Sequence, residues 1–207
     1  MPDPKPADVK TVEVWDSVVR ILHWSLVVGV ILAFLTAETL PETHETVGYA
    51  IGGIVVVRVI WGFVGSRHAR FSDFAYGPSA VASYLQNLLG FKGRRYLGHS
   101  PAGGAMVIGL LAVLAVIVAT GVATDIQRDQ TPPAAAAGAV QAPAKAGGDG
   151  EETESMLSEI HEGAANLLIV LVALHVGGVL LASLVHRENL VAAMFSGRKR
   201  TDRKAPD

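Results

Sequence analysis

The sequence contains no cysteine among its 207 residues. That absence excludes disulfide bonds, thiolate-bound iron–sulfur clusters and covalent attachment of a haem through a C-x-x-C-H motif. Charge is also scarce, since 17% of the residues are charged and the formal net charge is -2, whereas 50% of the residues are hydrophobic. A chain of this length with a mean hydropathy of +0.39 is too apolar for an ordinary soluble domain. The composition therefore predicts a small polytopic membrane protein.

Four long apolar runs lie at about residues 18–37, 46–65, 102–124 and 160–185. Each is close to the roughly 20 residues that a helix needs to cross a bilayer. The N-terminal segment carries acids where a signal peptide has bases, and no A-x-A site follows the first run, so this run is predicted to be a retained span. The sequence thus predicts an all-α membrane protein with a single domain, folded as a four-transmembrane-helix bundle.

The basic residues are segregated along the chain. Most of them lie in three segments, which are the N-terminal segment, the segment 66–101 and the C-terminal tail, whereas the short connection from Glu38 to Glu45 has none. By the positive-inside rule, both termini and the segment 66–101 are predicted to be cytoplasmic. Within that segment, Pro78 and Gly90 bound a short interfacial helix. The basic string KGRR after it indicates contact with lipid headgroups rather than with nucleic acid.

The connection between the third and fourth runs has a different character. Residues 125–159 are rich in alanine, proline, glycine and acids, and they show no apolar periodicity. Such a composition predicts a low-complexity periplasmic loop, most of it disordered.

The fourth apolar run carries two histidines. His161 and His175 are fourteen residues apart, so they lie within about 40° of one face of a helix and roughly 21 Å apart along its axis. An intramembrane histidine that faces lipid is costly, and both rings are therefore predicted to turn into the bundle interior.

Membrane depth sorts the histidines into pairs. His44 and His161 begin helices at the outer surface, whereas His23 and His175 fall at the inner level. Two neutral imidazoles from opposite helices can ligate a haem iron on both faces, which favours electron transfer over oxygen binding. His99, at the start of the third run, competes with His23 for the inner position, and His23 is preferred. A zinc or single-iron site needs three or four ligands at one depth, and spacing alone leaves it open.

Four further residues are candidates for holding a cofactor. Arg20 and Arg58 lie near the cytoplasmic level, where they can neutralise haem propionates, although an arginine near a helix end also snorkels without a partner. Gly48 and Gly52 lie below His44 on one face of the second run. They either leave room for a flat ring or permit close helix packing, and the sequence supports both equally.

The four runs and their flanks also resemble a known family. The strings that carry the likeness are VWDSVVRILHW, HETVGYAIGGIVVVRVIWGFVGSRHARFSDF, YLGHSPAGGAMV and IHEGAANLLIVLVALHVGG. They resemble the prokaryotic cytochrome b561 superfamily, and most closely the b-type cytochrome subunits of nickel–iron hydrogenases. The family's ligand positions fall on His23, His44, His161 and His175, with the pairs His23/His175 and His44/His161.

This resemblance implies a location and a function. The implied protein is a multi-pass protein of the bacterial inner membrane that holds two b haems. It is expected to move electrons between the quinone pool and a periplasmic or membrane redox partner, either a hydrogenase-like subunit or a cytochrome c. An electron-transfer subunit of an oxidoreductase is favoured over a self-sufficient enzyme. The alternatives are a stand-alone superoxide:ubiquinone oxidoreductase of the same superfamily and a non-haem transporter or scaffold whose histidines relay protons.

Overall fold

The computed structural model describes residues 11–92, 94–130 and 149–201. In chain order the elements are β1 (Thr11–Glu13), α1 (Ser17–Thr36), α2 (Pro41–Val64), a 3-10 turn (Arg67–Ala69), α3 (Phe71–Phe74), α4 (Pro78–Leu89), α5 (Pro101–Gln130), α6 (Asp149–His186), α7 (Leu190–Ser196) and β2 (Arg198–Arg200). Four of the helices, α1, α2, α5 and α6, are long and apolar enough to cross a membrane. The predicted class, an all-α membrane protein with four spanning helices, is confirmed.

Two helices extend beyond the apolar runs that predicted them. α5 continues to Gln130, and α6 begins at Asp149, so both ends of the loop predicted at 125–159 are helical. Residues 125–130, DIQRDQ, extend α5 because the preceding turn of the helix already supplies backbone carbonyls to which the next amides donate. The predicted loop was too long at both ends, and its middle, 131–148, lies outside the described residues.

The chain divides into two compact units. Of the described chain, the central unit comprises residues 25–57, 106–130 and 149–175, which belong mainly to α1, α2, α5 and α6. The terminal unit comprises the described residues 11–24, 58–92, 94–105 and 176–201.

The core of the central unit fixes the orientation of the fourth spanning helix. Buried Ile51, Leu114 and Leu168 pack together there, each from a different helix. Leu168, only 3% exposed, lies seven residues from His161 and seven from His175, so all three share one face of α6. Both histidines are half-buried. Their rings therefore lie on the face of α6 that carries the core, as predicted from the cost of exposing imidazole to lipid.

The two glycines of α2 have different surroundings. A Cβ added at Gly52 would lie 2.9 Å from Cγ1 of Val118 on α5, whereas a Cβ at Gly48 would meet nothing within 4 Å. Gly52 thus permits close packing between α2 and α5, which is one of its two predicted roles. Gly48 leaves open space below His44, as the other role requires.

This contrast predicts different effects of the same substitution one turn apart. Gly52→Ala should destabilise the protein by roughly 1–3 kcal/mol, because the new methyl group forces Val118 to move. Gly48→Ala should be neutral or stabilise by up to about 1 kcal/mol, since alanine favours helix more than glycine does. Thermal unfolding of both variants in the same detergent measures the difference, and equal midpoints would contradict the packing role of Gly52.

The terminal unit joins the two ends of the described chain. β1 and β2 pair antiparallel, with Val12 opposite Lys199. Gly197, at φ 77°, ends α7 in the left-handed conformation that glycine adopts without strain, and its carbonyl accepts hydrogen bonds from the amides of Val14 and Trp15. The sequence analysis predicted no strand at either end.

Asp16 connects three parts of the terminal unit. One carboxylate oxygen accepts a 2.8 Å hydrogen bond from the amide of Val19 in the first turn of α1. The other accepts hydrogen bonds from Nε1 of Trp61 on α2, at 3.2 Å, and from the hydroxyl of Ser66. Burial alone raises the pKa of Asp16, but these hydrogen bonds outweigh it and leave the pKa below its ordinary value. The ionised carboxylate therefore holds α1 to α2 and to the turn that follows.

α4 has the bounds that the sequence indicated. It begins at Pro78 and ends before Gly90, and it buries Tyr84 and Leu88. Leu85 and Leu89 remain exposed, the latter by 70%. An apolar exposed side is what a helix at the membrane surface requires, and this location stays a prediction.

Candidate functional site

Two of the predicted histidines meet inside the central unit. His44 lies in the first turns of α2 and His161 lies on α6, and their ring centroids are 6.2 Å apart with an interplanar angle of 72°. Both rings are half-buried. The structure thus brings together the two residues of the predicted outer pair.

Backbone carbonyls hold both rings in a defined tautomer. Nδ1 of His44 lies 2.9 Å from the carbonyl oxygen of Ala33, and Nδ1 of His161 lies 2.9 Å from that of Ile117. Because a carbonyl can only accept, Nδ1 carries the hydrogen in each ring, and the neutral ring's Nε2 keeps its lone pair. The hydroxyl of Thr120 lies 3.2 Å from Nδ1 of His161 as a further polar contact. Each imidazole is therefore prepared to bind a metal through Nε2.

The separation of the rings fits a metal held between them. A bond from imidazole nitrogen to a first-row metal ion is roughly 2.0–2.1 Å, so two such bonds in line plus the ring radii come to about 6 Å. Among the described residues, no third His, Cys, Asp or Glu joins the pair to form a bare-metal site. A planar macrocycle supplies the remaining ligands itself, so two histidines suffice for a haem. The donor set of this site fits a b-type haem.

The third spanning helix accommodates the ring of His161. A Cβ added at Gly121 of α5 would lie 3.3 Å from Cε1 of His161. A larger side chain at this position would crowd the imidazole. The sequence analysis assigned Gly121 no role at the site, because a glycine in a spanning helix indicates close packing without showing what packs there.

Polar contacts join α2 to residues 125–130 of α5. The hydroxyl of Tyr49 donates a 2.5 Å hydrogen bond to Asp125, and Arg128 forms a 3.1 Å ion pair with Glu45. Sequence reasoning missed both contacts because it assigned Asp125 and Arg128 to a loop.

The predicted inner residues belong to different units. His23 lies on α1 in the terminal unit, with its ring edge-on to Trp24 at 5.1 Å, whereas His175 lies in the central unit. Their pairing stays a prediction from sequence.

His99, the competitor for the inner position, is enclosed by aromatic rings of the terminal unit. Its ring centroid lies 4.6 Å from that of Trp15 and 4.3 Å from that of Phe74. Its Nδ1 is shielded from solvent and has no hydrogen-bond partner in the described part of the chain. Burial above all, and then the positive charges of Arg58 and Lys199, lower the pKa of His99 to about 3. His99 is therefore neutral in this environment.

The two predicted arginines differ in their contacts. Arg20 donates hydrogen bonds to the carbonyl of Phe195, at 2.5 Å, and to the hydroxyl of Ser17, at 3.0 Å, so it ties α1 to the end of α7. Arg58 is only 6% exposed, and the one hydrogen bond that it forms with the described residues, to the carbonyl of Ala69, is 3.5 Å long. Binding of haem propionates stays a prediction for both arginines. The guanidinium of Arg58 forms fewer and longer hydrogen bonds to the described residues than that of Arg20 does.

One family of known proteins matches most of the chain. Residues 14–197 match the family described as prokaryotic cytochrome b561. The chain belongs to the prokaryotic cytochrome b561 family. With its four spanning helices, it is a multi-pass protein of the bacterial inner membrane. The resemblance and the location predicted from the sequence are confirmed.

One curated relative of this cytochrome b561 is a probable Ni/Fe-hydrogenase B-type cytochrome subunit of Bradyrhizobium diazoefficiens. The two are 27% identical over 143 residues, which cover 55% of this chain and 57% of the relative. The chain thus spans little more than half the length of that relative. No solved structure matches the chain.

Proposed function

We propose that this chain carries electrons through the inner membrane between the quinone pool and a redox partner, using two b haems that are each held by two histidines. His44 and His161 hold the outer haem, and His23 and His175 hold the inner one. The observation that supports the proposal most directly is the outer pair, whose rings lie 6.2 Å apart with both Nδ1 atoms bound to backbone carbonyls.

The residues around the outer pair prepare it for electron transfer. The carbonyls of Ala33 and Ile117 fix the ring orientations and make Nε2 more basic. Buried Ile51 and Leu168 contribute to an apolar core in the same unit, which excludes water and lowers the local dielectric constant. A haem bound between two imidazoles supplies reversible one-electron chemistry and has no open position for oxygen.

The distribution of charge supports an orientation for the proposed path. The segment 66–101 and the C-terminal tail hold most of the basic residues, and the positive-inside rule assigns both to the cytoplasm. With this orientation, His44 and His161 lie toward the periplasm. The name of the hydrogenase-associated relative supports a hydrogenase-like subunit as partner. A cytochrome c remains the other candidate from the sequence.

The haem content of the purified protein tests the proposal. We expect two b haems per chain, measured as the pyridine haemochrome against protein concentration, and a b-type signal in the reduced-minus-oxidised spectrum. A folded preparation that binds no haem, or only one, would contradict it.

A second assay separates the proposed subunit from a self-sufficient enzyme. The isolated protein is mixed with superoxide and ubiquinone, and quinol formation is followed. A subunit that depends on its partner should give none. Turnover by the isolated chain would favour the superoxide:ubiquinone oxidoreductase.

A further inference from the structure

The terminal unit buries two cations that have no counter-charge at contact distance. Arg58 on α2 and Lys199 on β2 are each 6% exposed. Lys199 donates one hydrogen bond, 3.4 Å long, to the carbonyl of Tyr96, and its ammonium lies 5.6 Å from the ring centroid of Trp15. Within the described chain, neither cation forms an ion pair with a carboxylate. Burying a charge without a partner is costly, so an anion bound beside these two cations would relieve that cost.

The carboxylates whose charges act on these two cations already form hydrogen bonds or an ion pair with other groups. Asp16, whose charge acts on Arg58, accepts hydrogen bonds from an amide, an indole and a hydroxyl. Glu188, whose charge acts on Lys199, forms a two-pronged pair with Arg95 at 3.1 and 2.8 Å. Burial lowers the pKa of Lys199 in spite of Glu188. The protein's own acids therefore do not neutralise the two cations at close range.

His99 lies in the same region. Its ring lies 4.6 Å from that of Trp15, whose centroid is 5.6 Å from the ammonium of Lys199. On the other side, the guanidinium of Arg58 lies 5.5 Å from the ring of Phe71, which contacts Phe74 at 5.6 Å, and Phe74 lies 4.3 Å from His99. The shielded Nδ1 of His99 has no partner among the described residues. A neutral imidazole whose Nδ1 carries hydrogen donates one hydrogen bond to an anion at this atom. Two buried cations and one unpartnered donor thus converge in one unit, which also contains His23.

We propose that Arg58, Lys199 and His99 form a clamp for the propionate carboxylates of the inner haem, and that the pairing of β1 with β2 brings Lys199 into this clamp. The inference rests on the proposed function, because it takes His23 as a ligand of that haem. The shared chemistry is recognition of an oxyanion, which the phosphate of an anionic lipid also offers. The propionate is the occupant argued here because the cations are buried in the unit that holds His23, whereas phosphates remain in the headgroup layer.

The β2 strand offers a matched pair of substitutions for the test. Lys199 is buried, whereas its neighbour Arg198 is exposed on the opposite face. In the purified haem-loaded protein, Lys199→Gln should lower the midpoint potential of one haem, because the lost charge no longer favours the reduced state. A tenfold change in the reduction equilibrium corresponds to ~59 mV for one electron. Arg198→Gln should change neither haem, and Lys199→Arg should restore the wild-type potential.

The midpoint potential and the thermal midpoint of a further variant distinguish a bound propionate from an unpaired buried charge. Lys199→Met removes the buried charge but keeps the apolar stem. If the clamp holds a propionate, this variant shows the same lowered potential and a lower thermal midpoint. Unchanged potentials with a higher thermal midpoint would overturn the proposal, because relieving an unpaired buried charge stabilises a protein.

Lipid dependence distinguishes the source of the anion. The potential difference between wild type and Lys199→Gln should survive removal of phospholipid and addition of phosphatidylglycerol vesicles. A difference that disappears on delipidation and returns with the vesicles would assign the clamp to a lipid phosphate and overturn the proposal. Because the haem count is measured on the same samples, failure of the clamp is distinguishable from failure of the two-haem function.

Discussion

Replacing His161 by alanine should reduce the haem content from two haems per chain to one. On the proposed assignment, the substitution removes one of the two histidines of the outer site and leaves His44 alone there, and a single histidine does not hold a b-type haem firmly. The proposed inner haem should keep its bis-histidine spectrum, because His23 and His175 are unchanged. The pyridine haemochrome and the reduced-minus-oxidised spectrum of the purified variant measure both effects.

Because His44 and His161 are proposed to hold the same haem, the variant that lacks both has a specific expected haem content. His44→Ala should cause the same loss as His161→Ala, and the double variant should lose no more than either single variant, because both ligands serve one iron. His186→Ala is the matched control on the same helix. Its Nε2 lies a long 3.4 Å from the hydroxyl of Tyr84, and its loss should leave both haems. A double variant that lost both haems would show that His44 and His161 serve different sites.

Much of the outer site could be predicted because helix geometry is regular. The fourteen-residue interval places His161 and His175 on one face of α6, and the apolar runs set the depth of His44. Depth and face together predicted the pair that the structure brings to 6.2 Å. Apart from the positions of the histidines in the sequence, the prediction used only the rise and the period of a helix.

The contacts that orient the rings could not be predicted in the same way. The partners of His44 and His161 are the carbonyls of Ala33 and Ile117, and every residue has a carbonyl. A backbone acceptor therefore leaves no mark in the sequence. Which carbonyl is free depends on how the helices pack, and that packing is specified by many side chains at once.

The terminal unit was missed for another reason. β1 and β2 have three residues each and lie near opposite ends of the chain, so no local pattern indicates their pairing. Lys199 belongs to the basic tail, which sequence reasoning treats as an orientation signal. This lysine is buried because β2 pairs with β1, a strand near the opposite end of the chain. Charge counting thus predicted the side of the membrane on which Lys199 lies but not the contacts of its side chain.

Asp16 is the residue of the terminal unit whose loss should be most destabilising. Asp16→Ala removes the cap of α1, worth roughly 1 kcal/mol, and leaves the donors of Trp61 and Ser66 without an acceptor, each at roughly 1–3 kcal/mol. The expected loss is therefore about 3 kcal/mol or more, measured by thermal unfolding in detergent. Glu13→Ala, an exposed acid three residues earlier, should have little effect.

The pH dependence of stability identifies the charge as the cause. Because the folded state holds the pKa of Asp16 below its ordinary value of 3.8, the stabilising contribution of its carboxylate is complete above that pH and is lost as the pH falls through the folded pKa. Wild type should lose this increment on acidification, whereas Asp16→Ala has none to lose. Asp16→Asn should lie between them at neutral pH, since it keeps a capping oxygen without the charge. If Asp16→Ala unfolded at the same temperature as Glu13→Ala, then the three hydrogen bonds would not be what joins α1 to α2.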